Sequence, residues 1–141
     1  MCDKDVQVDV IVPTHTRYLS LIGRIGEEIA KELDRYSGNR ATLAYNLNLV
    51  LTEAMTNAIE HSTSEDTKKT VRVTIHIEHE NLCIRVYDHG QGFDLETVPV
   101  PDLNHPKEGG LGIFLIRNIM DSVSYRRTQE GNILEMKKKL N

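Results

Sequence analysis

The sequence has few of the features that mark secreted, membrane-bound or disulfide-stabilised proteins. It contains two cysteines, Cys2 near the terminus and Cys83 inside a strand pattern, so no disulfide framework is expected and a reducing compartment is favoured. No apolar run approaches the roughly 18 residues of a membrane span, and the first residues lack the apolar segment of a signal peptide. We therefore expect a cytoplasmic protein that has no membrane partner.

The chain also lacks an excess of positive charge, internal repeats and low-complexity tracts. Lys and Arg number 17 and Asp and Glu number 21, which gives a net charge of −4. This balance argues against nucleic acid as a direct partner. At 141 residues the chain is expected to form a single domain, residues 1–141, large enough to bury a core without disulfides or structural metals.

Hydrophobic periodicity predicts helices and strands in the order β α α β β α β β. The predicted strands are residues 6–12, 71–78, 82–86, 123–128 and 133–139, with turns at 80–81 and 130–131; the predicted helices are residues 19–36, 41–61 and 111–120. Residues 93–108 show no periodicity and hold three of the four prolines, which is typical of a binding loop or lid. The fold class is therefore α/β (α+β), a two-layer sandwich of three main helices over a mixed, mainly antiparallel sheet.

Asp88 lies two residues after Val86 in the predicted strand and shares the parity of the apolar residues Leu82, Ile84 and Val86. The alternation therefore directs its carboxylate toward the side covered by helices. A buried carboxylate needs a hydrogen-bond donor, and the exocyclic amine of adenine is a suitable one. The alternative is that Asp88 only begins a turn with Gly90, as acidic residues often do.

Glu53 and Asn57 lie one turn apart along one border of the apolar stripe of the second helix, together with Asn46 and Glu60. A border of this kind can face a cleft. The amide oxygen of Asn57 can bind Mg²⁺, and Glu53 can accept a proton from an attacking hydroxyl group. The alternative is a solvated helix flank.

A glycine cluster, Gly109, Gly110 and Gly112, opens the third helix. Helix N-termini attract anions, and glycines allow a phosphate to approach backbone N–H groups. A hinge between loop and helix would use the same residues. The cluster is not a P-loop, because no Gly-Lys-Ser/Thr follows it. His76 and His79 are three apart near a strand and would face opposite sides, so they do not indicate zinc.

Together the three segments resemble the nucleotide-binding boxes of the GHKL ATPase/kinase superfamily. Residues 53–61 resemble the N box, residues 88–93 (Asp-His-Gly-Gln-Gly-Phe) the G1 box, and residues 109–112 (Gly-Gly-Leu-Gly) the G2 box. Within the superfamily, the chain is most similar to the small bacterial anti-sigma factor serine/threonine kinases. The resemblance covers nearly the whole chain.

The resemblance implies a Bergerat-type ATP-binding fold under a flexible lid, with ATP and Mg²⁺ as cofactors. By position, Asn57 would hold Mg²⁺, Glu53 would be the catalytic base and Asp88 would bind adenine. The remaining nucleotide-binding residues would be Gly90, Gly92, Phe93, Gly109, Gly110, Leu111 and Gly112. Arg24, which lies opposite the apolar stripe of the first helix, matches an arginine that engages partners.

The implied partners are an anti-sigma factor antagonist protein, which carries the phosphorylated serine or threonine, a sigma factor, and a second copy of the chain in a homodimer. The alternative function is a nucleotide-gated binding switch that sequesters a sigma factor or other regulator without phosphoryl transfer. Glu53 favours the kinase, because a pure sensor needs no base. A sensor histidine kinase core would need dimerising helices with a phosphoacceptor histidine. Only one predicted helix precedes the helix that carries Glu53 and Asn57, so this function is disfavoured.

Overall fold

The computed structural model of the chain describes residues 6–62, 69–90, 92, 95 and 111–141, with Leu111 described by its backbone. In chain order the elements are β1 (Gln7–Pro13), α1 (Leu19–Lys31), α2 (Arg40–Glu60), β2 (Thr70–Glu78), β3 (Asn81–Asp88), α3 (Leu111–Ile119), β4 (Ser122–Thr128) and β5 (Gly131–Lys139). Within these ranges, no helix is long and apolar enough to cross a membrane.

The five strands form one sheet in the order β1-β2-β3-β5-β4. All four pairs within it are antiparallel, so the sheet predicted as mainly antiparallel is antiparallel throughout the described residues. The inward residues of the central strands are buried and apolar, as alternation predicted: Val71, Val73, Ile75, Leu82, Ile84, Val86, Leu134 and Met136. The helices pack on this face, which confirms the two-layer α/β architecture.

The first helix is shorter than the predicted range of 19–36, because α1 ends at Lys31. The backbone N–H of Glu32 bonds to the carbonyl oxygen of Ile29, which tightens the last turn. Leu33 lies in the turn after the helix and is buried, and its position continues the helical spacing of the apolar residues. The predicted end of the first helix is therefore too late.

The second helix matches its prediction within one residue at each end. Asn39 caps it, since its side-chain oxygen accepts a hydrogen bond of 3.0 Å from the backbone N–H of Thr42. Two glycines of α1 let the helices approach closely. A Cβ on Gly26 would lie 2.3 Å from Leu51 Cδ1, and one on Gly23 would lie 2.7 Å from Thr52 Oγ1.

Both hairpin turns lie one residue earlier than predicted. Glu78 pairs with Asn81, so the first loop is His79 and Glu80, which adopt φ values of 50° and 67°. Such values are usual for Asn and Gly in a two-residue loop, and neither residue is present here. In the second hairpin Thr128 pairs with Gly131, which places residues 129–130 in the loop.

Candidate functional site

Asp88 lies at the end of β3 and points inward, as the strand alternation predicted. Its relative exposure is 6%, in a core that is otherwise almost entirely apolar. Its Oδ1 accepts a 2.9 Å hydrogen bond from the backbone N–H of Gly90 and another of 2.9 Å from the Asn132 amide. Within the described residues both hydrogen bonds to this carboxylate reach Oδ1, which leaves Oδ2 as an acceptor for a ligand.

Asn132 is a site residue that the sequence prediction did not include. It is 4% exposed, and its Nδ2 also donates a 2.9 Å hydrogen bond to the carbonyl oxygen of Gly90. One amide thus holds both the acid and the backbone two residues later. The signal was present in the sequence, because Asn132 has the parity of the inward residues Leu134 and Met136.

Gly90, two residues after the end of β3, packs against the end of α2. A Cβ at this position would lie 2.1 Å from the carbonyl oxygen of His61, which no side chain can tolerate. His61 is the C-cap residue of α2, and its Nδ1 lies 2.8 Å from the carbonyl oxygen of Asn57. The absence of a side chain at Gly90 therefore brings the Asp88 turn against the helix that carries Glu53 and Asn57.

Gly92 adopts a φ of +77°, which favours glycine over every residue with a side chain. A Cβ there would lie 2.9 Å from Arg127 Nε and 3.0 Å from the Tyr125 hydroxyl. The second glycine of the predicted segment is therefore required both by its backbone angle and by its close approach to β4.

Glu53 is half-buried on α2, and burial raises the pKa of its carboxyl group above the ordinary value, with repulsion from Glu60 as the second cause. A carboxylate in this state is a stronger proton acceptor than one in open water. This environment suits a general base.

Gly112 packs directly against Glu53. A Cβ on Gly112 would lie 2.6 Å from Glu53 Oε2, so the first turn of α3 covers this carboxylate. Two residues predicted separately, from the N-box-like helix and from the glycine cluster, are therefore in contact. Any side chain at position 112 would have to displace the carboxylate.

Asn57 is half-buried one turn after Glu53. Its backbone carbonyl oxygen accepts the hydrogen bond that ends the helix, from the N–H of His61 at 3.1 Å. Its side-chain amide makes no hydrogen bond to any described residue. An amide oxygen in this position fits the hard oxygen ligand that Mg²⁺ prefers.

Leu95 belongs to the segment predicted as a lid, yet it is 7% exposed and lies in the core. Arg117 of α3 donates a 3.2 Å hydrogen bond from Nη2 to the Leu95 carbonyl oxygen. No periodic pattern of apolar residues indicates this anchor. It ties one residue after the Asp88 turn to the helix that covers Glu53.

The other predicted residues are placed less completely. Arg24 lies on the exposed side of α1, which agrees with its assignment to the face opposite the apolar stripe. Phe93, Gly109 and Gly110 lie outside the described residues, as does the side chain of Leu111. The described part of the site therefore consists of an inward acid, a covered base and an uncommitted amide on neighbouring elements.

The chain is similar to known proteins over most of its length. The model of the histidine kinase-like ATPase domain family matches residues 16–138. Serine-protein kinase RsbW of Halalkalibacterium halodurans is 28% identical over 142 aligned positions, which cover 93% of this chain and 82% of that protein. RsbW of Oceanobacillus iheyensis is 30% identical over 112 positions, with 71% and 70% covered.

Two solved structures share the fold. The histidine kinase domain of the Erythrobacter litoralis blue-light activated kinase has a TM-score of 0.51 and 20% identity, covering 92% of this chain and 62% of its own. Acinetobacter baumannii histidine kinase AdeS has a TM-score of 0.51 and 22% identity over 70% of this chain. This chain spans 47% of the AdeS chain, and at these identities the likeness extends to the fold alone.

Proposed function

The chain belongs to the histidine kinase-like ATPase domain family, and on that premise we propose that it is an ATP- and Mg²⁺-dependent protein serine/threonine kinase. The observation that carries the proposal is Glu53, a half-buried carboxylate with a raised pKa against which the first turn of α3 packs. The similarity to RsbW serine-protein kinases over most of the chain supports the same conclusion.

Adenine recognition is assigned to Asp88. Its Oδ1 already accepts hydrogen bonds from Gly90 and Asn132, so Oδ2 is the oxygen that would accept from the exocyclic amine. A buried acceptor of fixed orientation discriminates strongly, because a base without a donor at this point would leave a carboxylate unpaired. The phosphates would lie toward the first turn of α3, where backbone N–H groups lack helical partners.

Asn57 would bind Mg²⁺ through its amide oxygen, with phosphate oxygens and water as the other ligands. When bound, the ion neutralises charge on the β- and γ-phosphates. The uncommitted side-chain amide of Asn57, half-buried one turn from Glu53, fits this role.

In the proposed reaction Glu53 removes the proton from a serine or threonine hydroxyl of a partner protein. The hydroxyl oxygen forms a bond to the γ-phosphorus, the bond from that phosphorus to the β–γ bridging oxygen breaks, and ADP leaves with the bonding electron pair. Most of the acceleration in such transfers comes from positioning and charge neutralisation, so one base is sufficient protein chemistry.

The RsbW similarity and the sequence motifs support a more specific proposal for the substrate and the partners. We assign the acceptor hydroxyl to a small anti-sigma factor antagonist, and a sigma factor to the second partner, within a partner-switching pathway. Arg24, exposed on α1, is the side chain we assign to partner contact. A homodimer is part of the same proposal.

The second candidate is a nucleotide-gated binding switch without phosphoryl transfer. It is favoured by Leu95, whose carbonyl oxygen accepts a hydrogen bond from Arg117, because this contact links Leu95 to α3, the helix to which we assign the phosphates. A switch would change partner affinity on nucleotide binding and would leave the partner unmodified.

The two functions are separated by replacing Glu53 with Gln. We expect E53Q to abolish partner phosphorylation and to keep ATP affinity within about threefold, because the amide fills the same space but accepts no proton. The measurement is transfer of labelled phosphate to candidate antagonist proteins, with ATP affinity determined by calorimetry. The control is E32Q, which changes an exposed carboxylate directly after α1 and should retain transfer.

Unchanged phosphorylation by E53Q would remove Glu53 from the mechanism. Parallel loss of transfer and of ATP binding would instead assign Glu53 to nucleotide binding. Absence of transfer by the wild-type chain to every partner, together with nucleotide-dependent partner affinity, would establish the switch.

A further inference from the structure

The face of the sheet opposite the helices carries a cluster that the nucleotide site does not use. His76, Glu78 and Cys83 each offer one ligand atom, and these atoms all lie within 4.8 Å of one another. His76 and Glu78 are two residues apart on β2 and so share a face, while Cys83 of β3 is the direct cross-strand partner of His76. From this geometry we propose that the three side chains form a binding site for a transition-metal ion of the Zn²⁺ class.

The ligand types fit a borderline metal. Imidazole nitrogen, thiolate sulfur and carboxylate oxygen are the three donors that Zn²⁺ takes in proteins, and Mg²⁺ has no preference for the first two. The His76 Nε2 to Glu78 Oε2 distance is 3.1 Å. In a tetrahedral zinc site, ligand atoms are roughly 3.3–3.7 Å apart, so a bound ion would move His76 and Glu78 slightly apart and would draw a ligand atom at the 4.8 Å limit closer.

The surroundings favour an ion at this position. Cys83 is 1% exposed and the His76 side chain is 22% exposed, so two ligands are already withdrawn from water. The Glu78 side chain is 42% exposed, which leaves an entry path and a fourth position for solvent. Three protein ligands and one water is a common zinc coordination.

The charges of the ligands also match a divalent ion, since a thiolate and a carboxylate together carry two negative charges. Arg85 pairs with Glu135, and Lys137 lies 3.9 Å from the same carboxylate. Arg85 also forms an ion pair of 4.0 Å with Glu78, which a bound ion would replace. A bound ion would connect β2 to β3 across their hairpin.

The test uses Co²⁺ as a spectroscopic probe on tag-free chain carrying Cys2→Ser, so that Cys83 is the single thiol. We expect thiolate-to-metal charge-transfer absorption and intense visible bands from tetrahedral Co²⁺, both removed by one equivalent of Zn²⁺. Saturating Zn²⁺ should raise the thermal midpoint by roughly 5 °C or more, because the ion binds the folded state selectively.

Variants locate the site. Cys83→Ala should lose the charge-transfer absorption, and His76→Asn and Glu78→Gln should each weaken Co²⁺ binding about tenfold or more. His79→Asn is the matched control, an exposed histidine in the adjacent turn that lies outside the cluster. Circular dichroism checks the fold of each variant. If Cys83→Ala unfolds, His76→Asn and Glu78→Gln still test the site.

The proposal is overturned if Co²⁺ produces no charge-transfer absorption at submillimolar concentration. It is also overturned if His79→Asn weakens binding as much as His76→Asn, which would indicate adventitious histidine binding. The titrations are carried out without nucleotide, so this test is independent of the nucleotide site.

Discussion

Two carboxylates, Glu53 and Asp88, lie in different surroundings, and the difference assigns them different roles. Asp88 accepts two hydrogen bonds on one oxygen and is fixed as an acceptor. Burial raises the pKa of Glu53, and the charge of Glu60 is the second cause among the described residues. In the proposed reaction the first residue would recognise the adenine amine and the second would take up a proton.

The raised pKa of Glu53 predicts a pH-dependent stability difference. The folded chain binds this proton more tightly than the unfolded chain, so the contribution is favourable below the ordinary value of 4.5 and is lost as pH rises through the raised value. Ionised Glu53 thus destabilises the fold at neutral pH. E53Q should melt about 1–3 °C higher than wild type at pH 7.5, and this gain should vanish near pH 4.

Thermal melts of the two proteins at several pH values provide the measurement. Glu60→Gln serves as the comparison, since removal of the repelling charge should give a smaller gain with the same sign. A gain for E53Q that persists or grows on acidification would contradict the environment assigned to Glu53.

Two glycine substitutions should affect different properties: Gly112→Ala should lower turnover, and Gly90→Ala should lower stability. In Gly112→Ala the new Cβ meets the end of a flexible side chain, Glu53 Oε2, so the fold should persist while turnover falls about ten- to hundredfold through displacement of the base.

In Gly90→Ala the Cβ meets the backbone of His61, so the free energy of unfolding should fall by about 2 kcal/mol or more. Denaturant titration and single-turnover transfer distinguish the two; a stable, active Gly90→Ala would refute the packing.

At the scale of elements, periodicity predicted every strand and the second helix, because these segments bury one face against the core. It failed where a turn reproduces helical spacing, as at Leu33, and where non-glycine residues adopt positive φ, as at His79 and Glu80. Tertiary contacts decide both cases, and a single sequence does not display them.

The site likewise contains residues that a local pattern predicts and contacts that only the tertiary structure creates. Asp88 and Asn132 are readable from strand parity, although only the first was predicted. The contact between Gly112 and Glu53, and the anchoring of Leu95 by Arg117, join elements far apart in the chain. No local pattern could have predicted those two contacts.

The cap of α2 allows a test at this scale. Asn39→Ala removes the acceptor for the backbone N–H of Thr42 and should lower the free energy of unfolding by about 1 kcal/mol, while Asn39→Gly should cost only a few tenths. ATP affinity should be unchanged, because the cap lies at the opposite end of α2 from Asn57. Denaturant melts and calorimetry measure the two quantities, and a matching loss of affinity would show that the helix ends are coupled.

At the scale of the whole molecule, Asp88 lies at the end of the central strand β3, next to the turn that packs against the end of α2. Gly90 against His61 and Gly112 against Glu53 are the two close approaches that assemble these elements. The family match over residues 16–138 includes all of them. A site built from three separate segments depends on the fold as a unit.

The most direct measurement is calorimetric titration of Mg²⁺-ATP into wild-type chain and Asp88→Asn. In the variant Oδ1 can still accept from Gly90 and Asn132, so the fold should be kept, while Oδ2 is replaced by an amide NH2 group, a donor that cannot pair with the adenine amine. We predict saturable binding by wild type and affinity at least about tenfold weaker in the variant. Equal affinities, or no binding by the wild-type chain, would contradict the account.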